Sequence, residues 1–213
     1  MRVWAVGLVV VLVAGAATSG YLIRTNDEPE VTTYDGPSPV AAASPSYPVE
    51  PLDLLPDPPL AALQPGVELH QIRVGDKPFD LGLQVPVDWA RTVPAPSEWR
   101  WYPPPGDVLN TYFLRVRLVA NQYQPIATML EARINALDGA EGVKDFVLES
   151  RIANGFVADY VSEGHRRVAM EMYVARPDSD VAFAWIALVG REVDRAGMAD
   201  LLARIGGAAQ PGA

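Results

Sequence analysis

The sequence predicts an α+β domain, in which an antiparallel β-sheet of about six to seven strands carries packed helices. Two observations predict this class. From residue 67 onward, seven segments have the apolar pattern of strands, and the last four follow one another through short turns. Two further segments, near residues 130 and 200, instead repeat apolar residues at the period of a helix.

The first three predicted strands precede the first helix. The stretch 78–87 alternates Phe79, Leu81, Leu83, Val85 and Val87 with more polar residues, as a half-buried strand does. The motif WRWY at 99–102 predicts a short strand, and the residues 90–98 before it are predicted to be a surface connection. The stretch 110–120 alternates again, with Phe113, Arg115 and Arg117 on one face.

The period then changes to that of a helix. Pro125 suits the first helical position, and the helix is expected to end before Gly139. One stripe holds all its large apolar residues: Ile126, Met129, Leu130, Ile134 and Leu137. The spacing therefore predicts an amphipathic helix packed on the sheet.

Four meander strands are predicted next. Asn154-Gly155 is a dipeptide typical of a type I′ hairpin turn, and further turns are predicted at 163–166 and 176–180. The last strand, 181–190, is apolar on both faces, which indicates a central position. Met170 and Met172, in the strand before it, are predicted to be core residues.

The chain is predicted to end in a second amphipathic helix. Met198, Leu201, Leu202 and Ile205 form its apolar stripe, and Gly206-Gly207 is expected to close it. Residues 207–213 are predicted to be a disordered tail, so that the domain spans 67–206.

The N-terminal segment predicts a membrane anchor. Residues 3–23 are uncharged and lie between Arg2 and Arg24. As a helix, 21 residues span about 32 Å, which matches a bilayer core. The alternative is a secretory signal peptide cleaved after small residues such as Ala14 and Ala16. Residues 1–24 are thus a transmembrane helix acting as a signal-anchor, with the following domain outside the cytoplasm, or a signal sequence of a secreted protein.

A proline-rich linker follows at residues 25–66. It holds ten prolines and seven acidic residues but no lysine or arginine. Such a segment has too little apolar surface to offset the entropy of ordering, so it is predicted to be a disordered, acidic tether. The linker supplies most of the formal net charge of −9. Because no concentrated basic face remains, nucleic acid is excluded as a partner.

Common catalytic and metal patterns are absent from the sequence. The chain has no cysteine and only two histidines, and it lacks a G-x-S-x-G or H-x-x-x-H motif. The sequence therefore predicts no metal, no cofactor and no enzymatic activity. The remaining alternative of this kind is an unrecognised hydrolase, which would need His70 or His165 beside a serine in a cleft.

The order of elements resembles the Mog1/PsbP-like fold, an α/β/α sandwich. More narrowly, the chain resembles the LpqN/LpqT family of actinobacterial exported proteins. Three features carry the resemblance over residues 67–206: Pro86 with Trp89, the helix begun by Pro125, and the four-strand meander. The chain departs from the lipoprotein members because it has no cysteine to acylate. The resemblance implies a non-enzymatic cell-envelope protein with an accessory role in mycolate-lipid transport.

Aromatic and arginine residues of two neighbouring strands form the candidate surface. An arginine–aromatic surface can hold a sugar or an anionic head group by stacking and forked hydrogen bonds. The candidate residues are Trp99, Trp101, Tyr102, Phe113, Arg115 and Arg117. The alternative is that the tryptophans belong to the core and the arginines lie flat on a solvated face.

The predicted function is that of a membrane-tethered accessory module without catalysis. It is expected to bind an envelope lipid, a glycolipid or a membrane transporter partner. The competing hypothesis is a scaffold that binds only proteins in a membrane complex.

Overall fold

The computed structural model describes residues 52–104 and 112–212. The predicted membrane segment, 3–23, and residues 25–51 of the predicted linker lie outside the described residues. No helix within the two described ranges is long and apolar enough to cross a membrane.

The predicted α+β class is confirmed, because the described residues form a seven-stranded antiparallel sheet and two α-helices. The strands of this sheet are β3 (Ala90–Ala95), β4 (Glu98–Tyr102), β5 (Phe113–Leu118), β6 (Val143–Ile152), β7 (Gly155–Ser162), β8 (His165–Ala175) and β9 (Ala182–Gly190). Their order across the sheet is β3-β4-β5-β9-β8-β7-β6. Strands β6 to β9 form the predicted meander, and β9 is the central strand that its two apolar faces indicate.

A second, three-stranded sheet has the order β1-β2-β10. Its strands are β1 (Leu69–Val74), β2 (Leu81–Pro86) and β10 (Gln210–Pro211), all antiparallel. Strand β2 is the predicted strand of 78–87, and its Leu81, Leu83 and Val85 are fully buried. The sequence pattern therefore identified the central strand of this sheet but neither of its neighbours.

Two helices cover opposite faces of the large sheet. Helix α1 (Ile126–Asp138) packs Leu130 and Ile134 into a core with Trp185 and Tyr173. Helix α2 (Arg195–Ala208) packs Met198 and Leu201 into a larger core on the other face, together with β2. A short 3₁₀ helix, Glu192–Asp194, joins β9 to α2.

The predicted surface connection at 90–98 is wrong, because these residues form the edge strand β3 and the start of β4. All six residues of β3 are exposed, and Pro94 interrupts its pairing with β4 between Thr92 and Ala95. An exposed strand that contains proline is tolerated at a sheet edge, where one side needs no hydrogen bonds. Its sequence therefore lacks the alternation of a half-buried strand.

The hairpin at Asn154 is confirmed, but its turn lies one residue earlier than predicted. Ile152 pairs with Gly155, so Ala153 and Asn154 form the turn, and neither has the positive φ of a type I′ turn. Gly155 instead allows a close approach of β8, because a Cβ there would lie 2.5 Å from the Glu171 carbonyl oxygen. The left-handed pair is found in the next turn, at Glu163 and Gly164, with φ of 52° and 80°.

The predicted end of α2 is also wrong. The helix continues through Gly206 and Gly207 to Ala208, and β10 then pairs with β2. A disordered tail is therefore incorrect for residues 207–212. Gly206 lets the helix pack closely on Met172, because a Cβ at this position would lie 2.6 Å from the Met172 sulfur.

Residues 52–66, which the sequence assigns to the linker, lie against the domain, and we call them the strap. Arg191 donates hydrogen bonds to the carbonyl oxygens of Pro58, Leu60 and Ala61 at 3.1–3.2 Å. Leu63 is buried in the larger core. The predicted start of the folded domain at residue 67 is therefore corrected to include the strap.

A buried ion pair holds the strap in place. The Asp194 carboxylate accepts hydrogen bonds from the Leu63 amide at 2.9 Å, from the Arg191 amide at 2.9 Å and from the Arg191 guanidinium at 2.8 and 2.9 Å. These bonds to Asp194 raise the pKa of Arg191, against the opposing effect of burial. Gly197 completes the contact, since a Cβ there would lie 2.3 Å from the Leu63 carbonyl oxygen.

Candidate functional site

The structure divides the six predicted surface residues between the two faces of the sheet. Trp99 and Trp101 point to one face, as predicted, but that face is the larger core, where Trp101 is only 2% exposed. Trp101 is therefore a packing residue and Trp99 is partly buried against the same core, so neither lies on the face of the other four predicted residues. Side chains alternate along a strand, so the neighbouring residues of β4 point to the opposite face.

The other four predicted residues share the opposite face. The rings of Tyr102 and Phe113 stack with centroids 5.6 Å apart. Arg115 donates to the Glu98 carboxylate at 2.7 Å, and Arg100 donates to the same carboxylate at 2.8 Å. Burial opposes the charge on Glu98, but the hydrogen bonds from Arg115 and Arg100 outweigh it and lower the pKa of this carboxyl.

Trp185, in the central strand, is the centre of this surface. The guanidinium carbons of Arg115 and Arg133 each lie 4.7 Å from the centroid of its ring. Its indole N–H donates to the Glu171 carboxylate at 2.8 Å. Guanidinium groups held over an aromatic face have few alternative orientations, so both arginines are fixed before any ligand arrives.

Glu171 and Arg133 complete the network. Arg133 donates two hydrogen bonds of 2.7 Å to the Glu171 carboxylate, which is 1% exposed. Burial acts against the charge on Arg133, but these bonds outweigh it and raise the pKa of Arg133. Burial likewise raises the pKa of the nearby Tyr173 to about 12, so its hydroxyl stays neutral and donates to the Met129 carbonyl oxygen at 3.2 Å.

A cavity of about 250 Å³, which we call the arginine cavity, opens beside this network. Arg115, Arg117 and Arg133 line it, and Gln122, Met129, Tyr173 and Trp185 are among its other walls. Sequence reasoning identified Arg115 and Arg117 but missed Arg133, Glu171 and Trp185. The last three come from α1, β8 and β9, and no local pattern indicates that the fold brings them together.

A second cavity, of about 320 Å³, lies on the opposite face of the sheet, beneath α2. We call it the apolar cavity, because its walls are almost entirely hydrocarbon and thioether. The main wall residues are Phe156, Val157, Met170 and Met172 from the sheet and Ala199, Leu202, Ala203 and Gly206 from α2. The exposed side chain of Ile152 lies at its rim.

Small residues on one face of α2 leave the space for the apolar cavity. Ala199, Ala203 and Gly206 follow one another at helical spacing, and large side chains at these positions would fill it. The prediction that Met170 belongs to the core is confirmed, while Met172 is partly buried and packs against that core. Both also line the cavity. The signal that sequence reasoning overlooked was this stripe of small residues facing two methionines.

A cluster of charges lies at the N-terminal end of α2, one turn before Ala199. Arg195 donates to the Glu149 carboxylate at 2.6 and 2.9 Å and to Asp159 at 3.2 Å. Burial raises the pKa of Asp159 to about 6, and its hydrogen bond with Glu149 and the charge of Glu149 add to the rise. Asp159 therefore retains its proton to a higher pH than an ordinary aspartate does.

We expect Asp159→Asn to raise the free energy of unfolding at pH 7 by about 1–2 kcal/mol. The native Asp159 holds its proton more tightly than the ordinary carboxyl of pKa 3.8. Stability from that proton is fully present below pH 3.8 and is lost as the pH rises through 6. Asparagine has no proton to lose, so the gain should vanish below about pH 4. Urea unfolding from pH 4 to pH 8 measures the difference.

The matched control for this prediction is Glu131→Gln, at an exposed ion pair with Arg151. We expect it to change the free energy of unfolding by less than about 1 kcal/mol at every pH. Equal stabilities of Asp159→Asn and the wild-type chain from pH 4 to pH 8 would contradict an elevated pKa at Asp159.

The two histidines lie apart from both cavities. His70 is exposed in β1. His165 is buried at the start of β8, with Nδ1 3.3 Å from the Asp57 carboxylate of the strap, which also pairs with Arg167 at 2.7 Å. Within residues 52–104 and 112–212, no three His, Asp or Glu side chains gather into a metal-binding group.

No protein-family model matches this chain, and the search of curated proteins finds no significant match.

Proposed function

We propose that this chain is a non-catalytic, membrane-tethered protein of the cell envelope whose domain binds the apolar chain of an envelope lipid or glycolipid. Residues 1–24 are proposed as the membrane anchor, and the proline-rich linker as the tether that holds the domain outside the cytoplasm. The observation that carries this proposal is the apolar cavity beneath α2.

The chemistry of the cavity walls favours a hydrocarbon ligand. A polar group placed between Val157, Met170 and Leu202 would lose its hydrogen bonds to water and find few partners. A hydrocarbon chain loses nothing of this kind, and its burial is favourable at about 25 cal/mol per Å². Methionine side chains also adapt to chains of different shape.

The cavity is large enough for part of an acyl chain. Its 320 Å³ is about twice the roughly 150 Å³ of an engineered cavity that holds benzene. The exposed Ile152 is among its lining residues, and Ala199, another of them, lies one turn after Arg195. A bound chain could thus continue past an apolar rim towards a polar head group in solvent.

The fold supports the same proposal through the family resemblance. A central antiparallel sheet, a four-strand meander and one helix on each face are what the Mog1/PsbP-like fold requires. We propose that the domain has that fold and that the chain is related to the LpqN/LpqT-like exported proteins. Such a relationship implies a partner among envelope lipid transporters, with an accessory role in mycolate-lipid transport.

The positions of the histidines support a role without catalysis. His165 is buried against the strap, with Nδ1 3.3 Å from the Asp57 carboxylate. His70 is exposed in a strand of the small sheet, away from the residues that line either cavity.

Lipid extraction and native mass spectrometry of the full-length chain, purified from membranes in detergent, test the proposal. We expect the wild-type chain to carry one bound amphiphile. Ala203→Phe places a ring in the cavity and should lower the bound amphiphile at least fivefold. The matched control is Ala196→Phe, at an exposed position of α2 that does not line the cavity.

The control chain should carry as much amphiphile as the wild type. A wild-type chain without amphiphile, or equal occupancy in Ala203→Phe, would overturn the proposal. Circular dichroism of the three proteins should coincide, because both positions are exposed on α2.

A further inference from the structure

We propose that the arginine cavity is a second binding site, for a doubly charged oxyanion such as a phosphate or phosphate monoester group. This site goes beyond the proposed binding of an apolar chain. Its walls Met129, Tyr173 and Trp185 belong to the α1 side of the sheet, whereas Val157, Met170 and Met172 of the apolar cavity belong to the α2 side. A substitution can therefore abolish binding at one site and leave binding at the other unchanged.

The first step of the argument is the charge balance. The network joined through Trp185 contains the guanidinium groups of Arg100, Arg115 and Arg133, and Arg117 lines the same cavity. The carboxylates within this network are Glu98 and Glu171. Four positive and two negative groups leave a charge of +2 in a chain whose formal net charge is −9. A dianion neutralises both positive charges, whereas a single carboxylate leaves one of them unbalanced.

The second step concerns the hydrogen-bond donors. Within the described ranges, Arg117 makes no ion pair or hydrogen bond, although it is exposed at the cavity. The Nε–H of Arg115 is buried and has no acceptor there. A buried donor without an acceptor is unfavourable, so an anion that accepts a hydrogen bond from it binds more favourably than one that does not. Guanidinium donors also match the oxygen spacing of phosphate.

The third step is preorganisation. Arg115 is fixed by Glu98 and by the ring of Trp185, and Arg133 is fixed by two bonds to Glu171 and by the same ring. Their side-chain entropy is already lost in the free protein. An oxyanion therefore needs to order only Arg117, which favours specific binding over loose association with an exposed patch.

Calorimetric titration of the full-length chain with inorganic phosphate, at constant ionic strength with chloride as the counter-anion, tests the site. We expect saturable binding of one phosphate. Arg117→Gln should weaken it at least tenfold, because the unpaired guanidinium is lost while the network around Trp185 stays intact. The matched control is Arg91→Gln, on the exposed edge strand β3 and outside the cavity, and it should bind as the wild type does.

Absence of saturable phosphate binding would overturn the proposal, as would equal weakening by Arg117→Gln and Arg91→Gln. Titrations with glycerol 3-phosphate and with a short-chain phosphatidic acid then identify the source of the phosphate. Tighter binding of the lipid ester supports a lipid head group, and tighter binding of glycerol 3-phosphate supports a soluble ester. Ala203→Phe should leave phosphate affinity unchanged, which separates this site from the apolar cavity.

Discussion

Glu171→Ala is expected to lower the free energy of unfolding by about 3–5 kcal/mol. The Glu171 carboxylate is buried and accepts two hydrogen bonds from Arg133 and one from the Trp185 indole. Its loss leaves a largely buried guanidinium and a buried N–H without acceptors, in addition to a cavity. Urea unfolding of the full-length chain near pH 7 measures the effect.

Two further variants determine whether the lost stability comes from the unpaired guanidinium charge of Arg133. Glu131→Ala removes an exposed carboxylate from α1 and should cost less than about 1 kcal/mol. The double variant Glu171→Met with Arg133→Met removes both charges and keeps apolar volume, so it should be more stable than Glu171→Ala. A cost below about 1 kcal/mol for Glu171→Ala would contradict the importance of this ion pair.

Asp194→Ala is expected to have an effect of similar size, about 3–5 kcal/mol. Asp194 is fully buried and accepts hydrogen bonds from Leu63 and from three nitrogens of Arg191. Without it, the buried Arg191 loses the carboxylate to which it donates, and the strap loses an acceptor for the Leu63 amide. Urea unfolding measures the loss of stability, and limited proteolysis should show cleavage within residues 52–66.

The comparison for this prediction is Asp200→Ala, in the same segment of the chain. Asp200 accepts a hydrogen bond from the Gly66 amide at 2.9 Å, but it is partly exposed. We expect a much smaller cost than for Asp194→Ala, because water replaces the lost carboxylate at this partly exposed position. Equal costs at the two positions would show that burial of the Arg191–Asp194 pair does not govern its contribution.

The elements that the sequence predicts correctly are those with a local periodicity. Seven strands and two helices follow from repeats of two or of three to four residues, and each lies where the pattern indicates. Strands β1, β3 and β10 were missed because the exposed β3 contains Pro94, β1 has few buried residues, and β10 has only two residues. Their pairing depends on distant neighbours.

The candidate site was predicted only in part for the same reason. Arg115 and Arg117 are next to each other on one strand face, so alternation places them together. Arg133 and Glu171 are 38 residues apart in sequence, and only the packing of α1 on β8 brings them into contact. The two tryptophans of β4 share a face as predicted, but the pattern does not tell which face is covered.

The strap was not predicted, because the composition of residues 25–66 indicates disorder and does not show which of them contact the domain. Ten prolines and seven acidic residues in 25–66 predict disorder, and nothing in residues 52–66 indicates that Arg191 binds the carbonyl oxygens of Pro58, Leu60 and Ala61. Proline carbonyls are good acceptors, and a backbone without regular structure leaves its carbonyl oxygens available. The residues that bind the strap, Arg191 and Asp194, lie about 130 residues further along the chain.

The strap also determines how mechanical force enters the domain. A pull on the N-terminal side of residue 52 acts first on the contacts of Leu55 and Asp57 with the β7–β8 hairpin, and then on Arg191. These contacts lie ahead of β1 along the chain, so tension would have to strip the strap before it reached either sheet. The contacts of the strap therefore set the force at which a tethered domain begins to unfold. The central strand β9 bears no load until the strap has detached.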